Sequence, residues 1–455
     1  MSEKDLFVGF EKINSAEWRY QIAKDLNIQN IDELKWTSAE GIDVGPIYHI
    51  DEAIRLNIPK SQNDWNVGEY LHFTNVSDAS KFVSNAAKGG ADSIYLDGDY
   101  SAEEAIQLIR KFEKSNLNWH VKVSCRAEDL KTIKKSSTAI QSKLNLHVDP
   151  IGHRARIGDW LIDQDTDLNV MRSHLQGQLL NQSQVSIDMS LYQNAGANII
   201  QQLAFGLSHA NEYLNLISTS NQVPLVTFKT AVGSNYFFEI AKLRALRWLW
   251  QSLLSGIGFD DTPCHILTTT TERNKTIYSY NNSLLRSTTE CMSAALGGAD
   301  TIVNMPYDNQ YHNPNDFGQR IARNQLLILK HESFFQAVQN PTDGTYYIDY
   351  LTHSLANQAL ELFKSIEAKG GFIEALKSGV VQASIKNSAT KEQEAFDQKD
   401  IILLGVNAYK SEEEKMSPTI DKLKLDVNQN KVFKAIIPSR LADEIEKERM
   451  KREKA

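Results

Sequence analysis

Residues 184–190 read Gln184-Val185-Ser186-Ile187-Asp188-Met189-Ser190, and strict alternation would place Ser186, Asp188 and Ser190 on one face of a strand. A carboxylate between two hydroxyls can serve a ligand channel or a hydrogen-bonded plug, since buried polar groups must be paired in either case. The residues leave both open. The next segment, Leu191-Tyr192-Gln193-Asn194-Ala195-Gly196-Ala197, holds no proton donor stronger than a tyrosine, a thin kit for acid–base catalysis.

A second cluster, Gly152-His153-Arg154-Ala155-Arg156, combines glycine, imidazole and two guanidinium groups in a way that would suit an anion. Its expected conformation is a surface loop with solvated arginines. The eleven histidines include no H-E-x-x-H and no H-x-x-x-H pair, so a helical zinc site has no geometric basis. Cys264-His265 are adjacent rather than facing and are expected to fill a strand or core position. No G-x-S-x-G elbow and no P-loop occur, and Gly256-Ile257-Gly258-Phe259-Asp260-Asp261 carries Asp261 where a dinucleotide fingerprint needs its third glycine. Nucleophilic hydrolysis and nucleotide binding therefore lack support.

The elements that position these residues alternate. Apolar or β-branched runs near 69–74, 93–97, 119–124, 143–148, 184–189, 223–229, 264–270 and 300–305 are separated by stretches mostly long enough for a crossover helix. About eight parallel strands predict a closed (β/α)8 TIM barrel of the α/β class, with chemistry expected at the carboxyl ends of its strands. One joint occurs twice, as Ala86-Ala87-Lys88-Gly89-Gly90-Ala91-Asp92 and as Ala294-Ala295-Leu296-Gly297-Gly298-Ala299-Asp300. Each copy should end a helix on a left-handed glycine and begin a strand. Ile240, Leu243, Leu246, Trp250 and Leu253 predict a helix over 234–254 behind Ser234 and Asn235, and Ile348, Leu351, Leu355, Ala359, Leu362 and Ile366 predict another, stopped by Gly370-Gly371. From about residue 384 the charged composition predicts a solvated connection, interrupted by the apolar run 401–406. Leu441 to Ala455 predicts an exposed helical tail with pairs such as Asp443 with Lys447 and Glu448 with Arg452.

Composition narrows the partners. A net charge of −8 over 455 residues argues against nucleic acid or an anionic membrane, which need clustered cations. The acidic start Met1-Ser2-Glu3-Lys4-Asp5 lacks a signal-peptide pattern, and the most apolar stretch, 245–259, is broken by Arg247 and Gln251, so neither export nor a membrane span is expected. Three scattered cysteines, Cys125, Cys264 and Cys291, fit a reducing compartment, and a cytoplasmic location is expected.

Asn235, Phe237, Glu239, Ile240, Ala241, Lys242, Arg244, Ala245, Arg247, Leu249 and Trp250 fit the pattern N-F-F-x-E-I-A-K-x-R-A-x-R-x-L-W, and by this stretch and those that follow the chain resembles the methylmalonyl-CoA mutase family from about residue 35 to 410. Tyr280-Asn281-Asn282 with Arg286 resembles Y-N-N-x-x-R with one extra residue. Asp316-Phe317 with Arg320-Ile321-Ala322-Arg323-Asn324 resembles D-F-x-x-R-I-A-R-N, and Gly344-Thr345-Tyr346-Tyr347 resembles the G-S-Y-Y-x-E corner with Asp349 for glutamate. In active members, the resemblance implies, the barrel threads coenzyme A along its axis and faces adenosylcobalamin on a separate flavodoxin-like domain.

The departures concern chemistry. Active relatives carry S-G-Y-H-x-Q-E-A-G-A after the fifth strand, and alignment through Ala195-Gly196-Ala197 puts Leu191 where their histidine bonds the thioester carbonyl. T-I-Q-N-D-x-L-K-E with its substrate arginine has no counterpart between 150 and 185, the R-G-x-x-x-x-M-Y-x-x-R-P-W-T entrance survives only as Ser38-Ala39-Glu40-Gly41-Ile42, and D-x-H-x-x-G is absent. The expected organisation is an N-terminal extension over 1–65, a barrel with following helices over 66–384 and a linker-like segment with charged tail over 385–455, without a cobalamin domain. The resemblance implies a small, noncatalytic subunit of a mutase heterodimer. Its partner would be the large catalytic subunit, which would carry the adenosylcobalamin, and this chain would have no catalytic, cofactor-binding or metal residues of its own. The alternatives are a split acyl-CoA mutase barrel that borrows a cobalamin domain, and a barrel that binds coenzyme A as a regulator.

Overall fold

In the computed structural model, residues 9, 12–59, 64–137, 143–176, 183–217, 223–259, 262–411, 413–416, 420–421 and 435–454 are described. Residues 1–5, Asp260, Asp261 and Ala455, which entered the reading above, lie outside them. A short N-terminal hairpin pairs β1 (Trp36–Thr37) with β2 (Asp43–Val44). Eight parallel strands follow: β3 (Asn66–Phe73), β4 (Ser93–Gly98), β5 (Asn118–Lys122), β6 (Leu144–His147), β7 (Val185–Asp188), β8 (Val226–Val232), β9 (His265–Thr270) and β10 (Thr301–Val303). They lie in the order β6-β5-β4-β3-β10-β9-β8-β7, and all eight expected runs overlap an observed strand.

The ends of this sheet meet. Leu146 N donates to the Ser183 carbonyl at 2.7 Å and Ser186 N to the Val148 carbonyl at 3.4 Å, stitching β6 to β7 by a few bonds rather than a full ladder. Alternate strand residues such as Ile94, Leu96, Trp119 and Val121 face outward into one large core with the surrounding helices. The repeated joint is built as expected: Gly90 and Gly298 have φ of 95° and 85°, and the amides of Ala91 and Ala299 each reach back to a helix carbonyl at 3.0 Å. The first glycine of each pair is needed for space. A Cβ on Gly89 would lie 2.4 Å from the Arg323 guanidinium.

The motif stretch forms the helix Tyr236–Gly256, whose charged residues are buried and clamp it to the barrel. Lys242 Nζ donates to the Ala231 carbonyl at 2.6 Å and pairs with Glu239. Arg244 binds Asp349 at 2.7 Å on the helix Tyr346–Glu367, so the aspartate in the glutamate's place still closes this contact. Arg247 binds Asp300 at 2.7 Å and the Gly298 carbonyl at 2.6 Å, tying the helix to the second joint. Asn235 occupies the N-cap position, but its side chain makes no capping bond.

Three expectations need correction. Residues 150–157 form the helix Pro150–Ile157, not a loop: Asp149 caps it by accepting from Gly152 N at 2.8 Å, and Pro150 has the φ that a first helical turn requires. The solvated connection from residue 384 begins inside the helix Val380–Asp397, whose Ile385 and Phe396 are buried, so the 384/385 boundary cuts a packed element. The tail packs on its own barrel. Its helix Asp443–Lys454 buries Met450 and Glu446, and Asp443 pairs with Arg440 at 2.6 Å instead of with Lys447. Among the described residues, no helix is long and apolar enough to cross a membrane.

Candidate functional site

The barrel axis is filled. Tyr95, Leu267 and Val303, from β4, β9 and β10, form a separate apolar cluster backed by Tyr70 and Met305. His120 Nδ1 lies 3.0 Å from His147 Nε2, and His265 Nε2 lies 3.0 Å from Thr301 Oγ1. The rings of His120 and His265 stand 5.1 Å apart although β5 and β9 are not sheet neighbours, so this contact crosses the interior. On the polar face of β7, Asp188 is paired with Arg156, Lys229 and the Ser190 hydroxyl, the hydrogen-bonded one of the two readings left open.

Burial disfavours the charged imidazole, pushing His147 down to about 3 and His120 well below the ordinary range, where neighbouring histidines add to the effect. His120 Nε2 and His147 Nδ1 have no hydrogen-bond partner, a cost that the neutral rings reduce.

Above the histidines the strand ends carry a plate of ion pairs. Lys122 binds Asp97 at 2.9 Å, while Asp188 receives Arg156 at 2.6 Å, Lys229 at 3.2 Å and the Ser190 hydroxyl. Lys229 Nζ also stands 5.0 Å over the Tyr95 ring, so the plate rests directly on the plug. Burial alone would raise the Asp188 carboxyl, but Lys229 and Arg156 outweigh it and hold the group well below the usual carboxylate range. Asp97 is lowered in the same way, against burial, by Lys122 and Lys229. Both carboxylates are therefore ionised at neutral pH.

A cavity of about 640 Å³ opens on this plate at the carboxyl ends of the strands. Residues between Pro306 and Pro314, after β10, form part of its wall, and Pro438, Ser439, Arg440 and Asp443 supply more. That C-terminal segment runs across the mouth: Ile436 N donates to the Ala155 carbonyl at 2.7 Å, Ser439 N to Asn194 at 3.0 Å and Leu441 N to Arg273 at 3.0 Å. Arg440 Nη1 binds Glu446 at 2.8 Å, and Glu446, 1 % exposed, accepts from Ile277 N at 2.6 Å.

The residues singled out from the sequence separate into two groups. Leu191, 1 % exposed, and Ser190 line the cavity, and Arg156 reaches it from its helix. Tyr192 turns away into the core, where its hydroxyl lies 2.9 Å from His209 Nδ1. Arg154 lies over Trp160 at 5.8 Å, and Cys264 is buried in the large core outside the barrel while the adjacent His265 faces the interior beside His120, so the two side chains point to opposite sides of the strand. Ser186 and Asp188 share the inward face, but Ser190 belongs to the short helix Met189–Asn194, which cuts the alternation short. Asp97, Lys122 and Lys229 were missed. Each sits at or near a strand's carboxyl end two positions beyond another inward residue, which was the available signal. Among the described residues, no group of three or more His, Cys, Asp or Glu could hold a metal ion.

Residues 161–453, well over half of the chain, match a family described as Methylmalonyl-CoA mutase. The chain is 29 % identical to the methylmalonyl-CoA mutase small subunit of Porphyromonas gingivalis, with 100 % of this chain and 79 % of that protein covered. It is 26 % identical to the methylmalonyl-CoA mutase of Rhizobium meliloti over 90 % of this chain and 65 % of that protein. With the methylmalonyl-CoA mutase of Escherichia coli the identity is 33 % over 48 % of this chain and 32 % of that protein. Two of these alignments thus span less than two thirds of the relative's length.

Proposed function

Because the chain belongs to the methylmalonyl-CoA mutase family, we propose that it is the small, noncatalytic subunit of an adenosylcobalamin-dependent methylmalonyl-CoA mutase heterodimer, working in the cytoplasm beside a large catalytic subunit. The observation that carries this reading is Leu191 at the cavity wall, directly above a filled axis. The resemblance assigns that position to the group that polarises the thioester carbonyl, and a leucine side chain has no donor. Beneath it, Tyr95, His120, His147, Leu267 and Val303 occupy the line along which the resemblance threads coenzyme A. The regulatory coenzyme A reading loses support on the same ground.

The residues present do not fit adenosylcobalamin on this chain. Neither histidine lining the mouth stands in a D-x-H-x-x-G context: His312 pairs with Asp421 at 2.9 Å, and His72 is the penultimate residue of β3. The cofactor and the radical rearrangement are assigned to the partner, and no step of that reaction is derived from this chain. Its contribution is a stable barrel offering the partner a large interface of the obligate type.

The test is co-expression with a mutase large chain, followed by assays of methylmalonyl-CoA to succinyl-CoA conversion and of adenosylcobalamin binding. The expected result is one stable complex whose activity is unchanged by Leu191→Ala, with no turnover by this chain alone. Turnover by this chain with an isolated cobalamin domain would overturn the reading and favour the split-barrel alternative.

A further inference from the structure

The rim of the barrel opposite the mouth carries its bases on one side. Three helices descend to that rim after β3, β4 and β5, and each ends in cations: Val76–Lys88 in Lys88, Ala102–Lys111 in Arg110 and Lys111, and Ala127–Ser137 in Lys134 and Lys135. Lys114 follows the second of them and Lys143 precedes β6. All of these side chains are exposed except the half-buried Lys134. Lys111 Nζ reaches Ser80 Oγ of the first helix at 3.2 Å, and the groove between the second and third helices has Arg110, Lys111 and Ser136 in its walls. The acids of these helices, Asp78, Glu103, Glu104, Glu128 and Asp129, lie in their first turns, at the other rim. On the basic arc itself stand Glu113, and Asp64 and Asp92, which Lys330 already binds at 2.9 and 3.0 Å. In a chain of net charge −8, this arc has the opposite sign.

Cations at the carboxyl end of a helix are favourable for a local reason, since they offset its dipole. That benefit is open to every helix of the ring. Yet Ile199–Leu216, Tyr236–Gly256 and Asn282–Leu296 end on the same rim with no base in their last turns. Outside the ring, Lys364 and Lys377 are each held by a glutamate three residues back, at 2.8 and 2.7 Å, whereas Lys88, Arg110 and Lys114 make no ion pair among the described residues. A local effect does not produce so one-sided a distribution, and a field directed at a partner does.

We propose that this arc is a docking surface for an acidic protein, steered by charge and bound transiently. Lysine outnumbers arginine on it, and an ammonium is a point charge that suits scattered carboxylates better than it makes the bidentate grip on phosphate. Among the described residues from 76 to 137, no large apolar side chain is exposed, so the arc has neither rings on which bases stack nor wedges that enter a bilayer. Subunit interfaces are depleted of lysine at their cores, which leaves this surface open when the chain sits beside a large subunit. The inference therefore goes beyond the subunit reading and concerns a second partner.

The probe is a fluorescent polyglutamate peptide, titrated by anisotropy into the full chain alone and into its complex with the large subunit. Polyuridylate, and vesicles of phosphatidylcholine with phosphatidylserine, form parallel arms. The expected result is saturable binding of polyglutamate, tighter than of either other polyanion, which persists in the complex and weakens as salt shortens the screening length. Combined Arg110→Glu, Lys111→Glu and Lys114→Glu should weaken it by about tenfold or more, as loss of a steering patch does. Combined Lys364→Glu, Lys369→Glu and Lys377→Glu changes the net charge equally and should leave it within about twofold. All six side chains are exposed, thermal unfolding checks the fold of each variant, and if the first triple variant does not fold, Lys114→Glu alone decides. Absence of saturable binding, equal loss in both triple variants, or tighter binding of polyuridylate or vesicles overturns the proposal. So does loss of binding in the complex, which would put the arc inside the subunit interface. The arm with the chain alone stands whether or not that complex forms, and no arm reads mutase activity, so failure here leaves the subunit reading untouched.

Discussion

Lowering the pH should destabilise the barrel from within, and His147→Gln should relieve part of that loss. His120 and His147 are buried in the axis with folded values pushed below the ordinary 6.5, His147 to about 3. In the unfolded chain both rings take up protons near 6.5, while in the fold they stay neutral. Between these limits the unfolded state binds more protons, so stability rises with pH and is lost as pH falls below about 6.5, at about 1.4 kcal/mol per unit for each ring. At pH 5 the two together have cost about 4 kcal/mol relative to pH 8, a large fraction of the 5–15 kcal/mol that holds a typical fold together. Carboxylates add little above pH 5, since their unfolded values lie near 4. Urea unfolding at a series of pH values measures this directly. His147→Gln keeps a polar side chain of similar reach and removes one titrating ring, so its stability should fall less steeply between pH 6.5 and 5 by about 1.4 kcal/mol per unit. Identical slopes for the two proteins, or His120 and His147 resonances that titrate near 6.5 in the folded chain, would refute the argument.

Three further outcomes follow from buried contacts. Arg247→Met should cost about 3–5 kcal/mol by leaving Asp300 buried without its cation, seen as a lower denaturation midpoint at neutral pH. Arg440→Ala should destabilise by about 3 kcal/mol and release the segment 435–454, because Glu446 loses its guanidinium while its backbone donors alone must hold a buried charge; limited proteolysis would then cut within that segment. Cys125, Cys264 and Cys291 are buried free thiols, the first two pushed by burial up to about 12, so alkylation at pH 8 should wait for unfolding; rapid labelling of the native chain would contradict their placement.

The strands were legible because their outward residues carry the signal. Ile94 and Leu96, or Trp119 and Val121, announce a sheet covered by helices whatever fills its centre. The centre was not legible, since Ser186, Asp188 and the histidines have the same identities in a channel as in a plug. Contacts across non-neighbouring strands, His120 with His265 and Lys229 with Tyr95, distinguish them. Leu191 lines the cavity where the resemblance places it, whereas Arg156 reads as loop because its glycine and paired arginines mask the helix start at Asp149-Pro150. Dense charge makes the terminal helix read as solvated. What buries Glu446 is the backbone of Ile277, and no local pattern reports a partner 169 residues away. The family was legible from the charged residues of Tyr236–Gly256, which prove to be architecture: they clamp a helix and do not line the cavity.

The strap across the mouth also sets an order of events. Its bonds span sequence separations of 166 and 169 residues, to Arg273 and Ile277, and it is made after every strand it crosses. A growing chain can therefore close its ring of eight strands while the upper rim is still missing, and those distant contacts join afterwards, when the entropy of closing long loops is met by an already rigid barrel. Until the segment 435–454 has been made, the apolar surface on which Ala442 and Met450 dock stays uncovered at the open rim, where it can attract other chains.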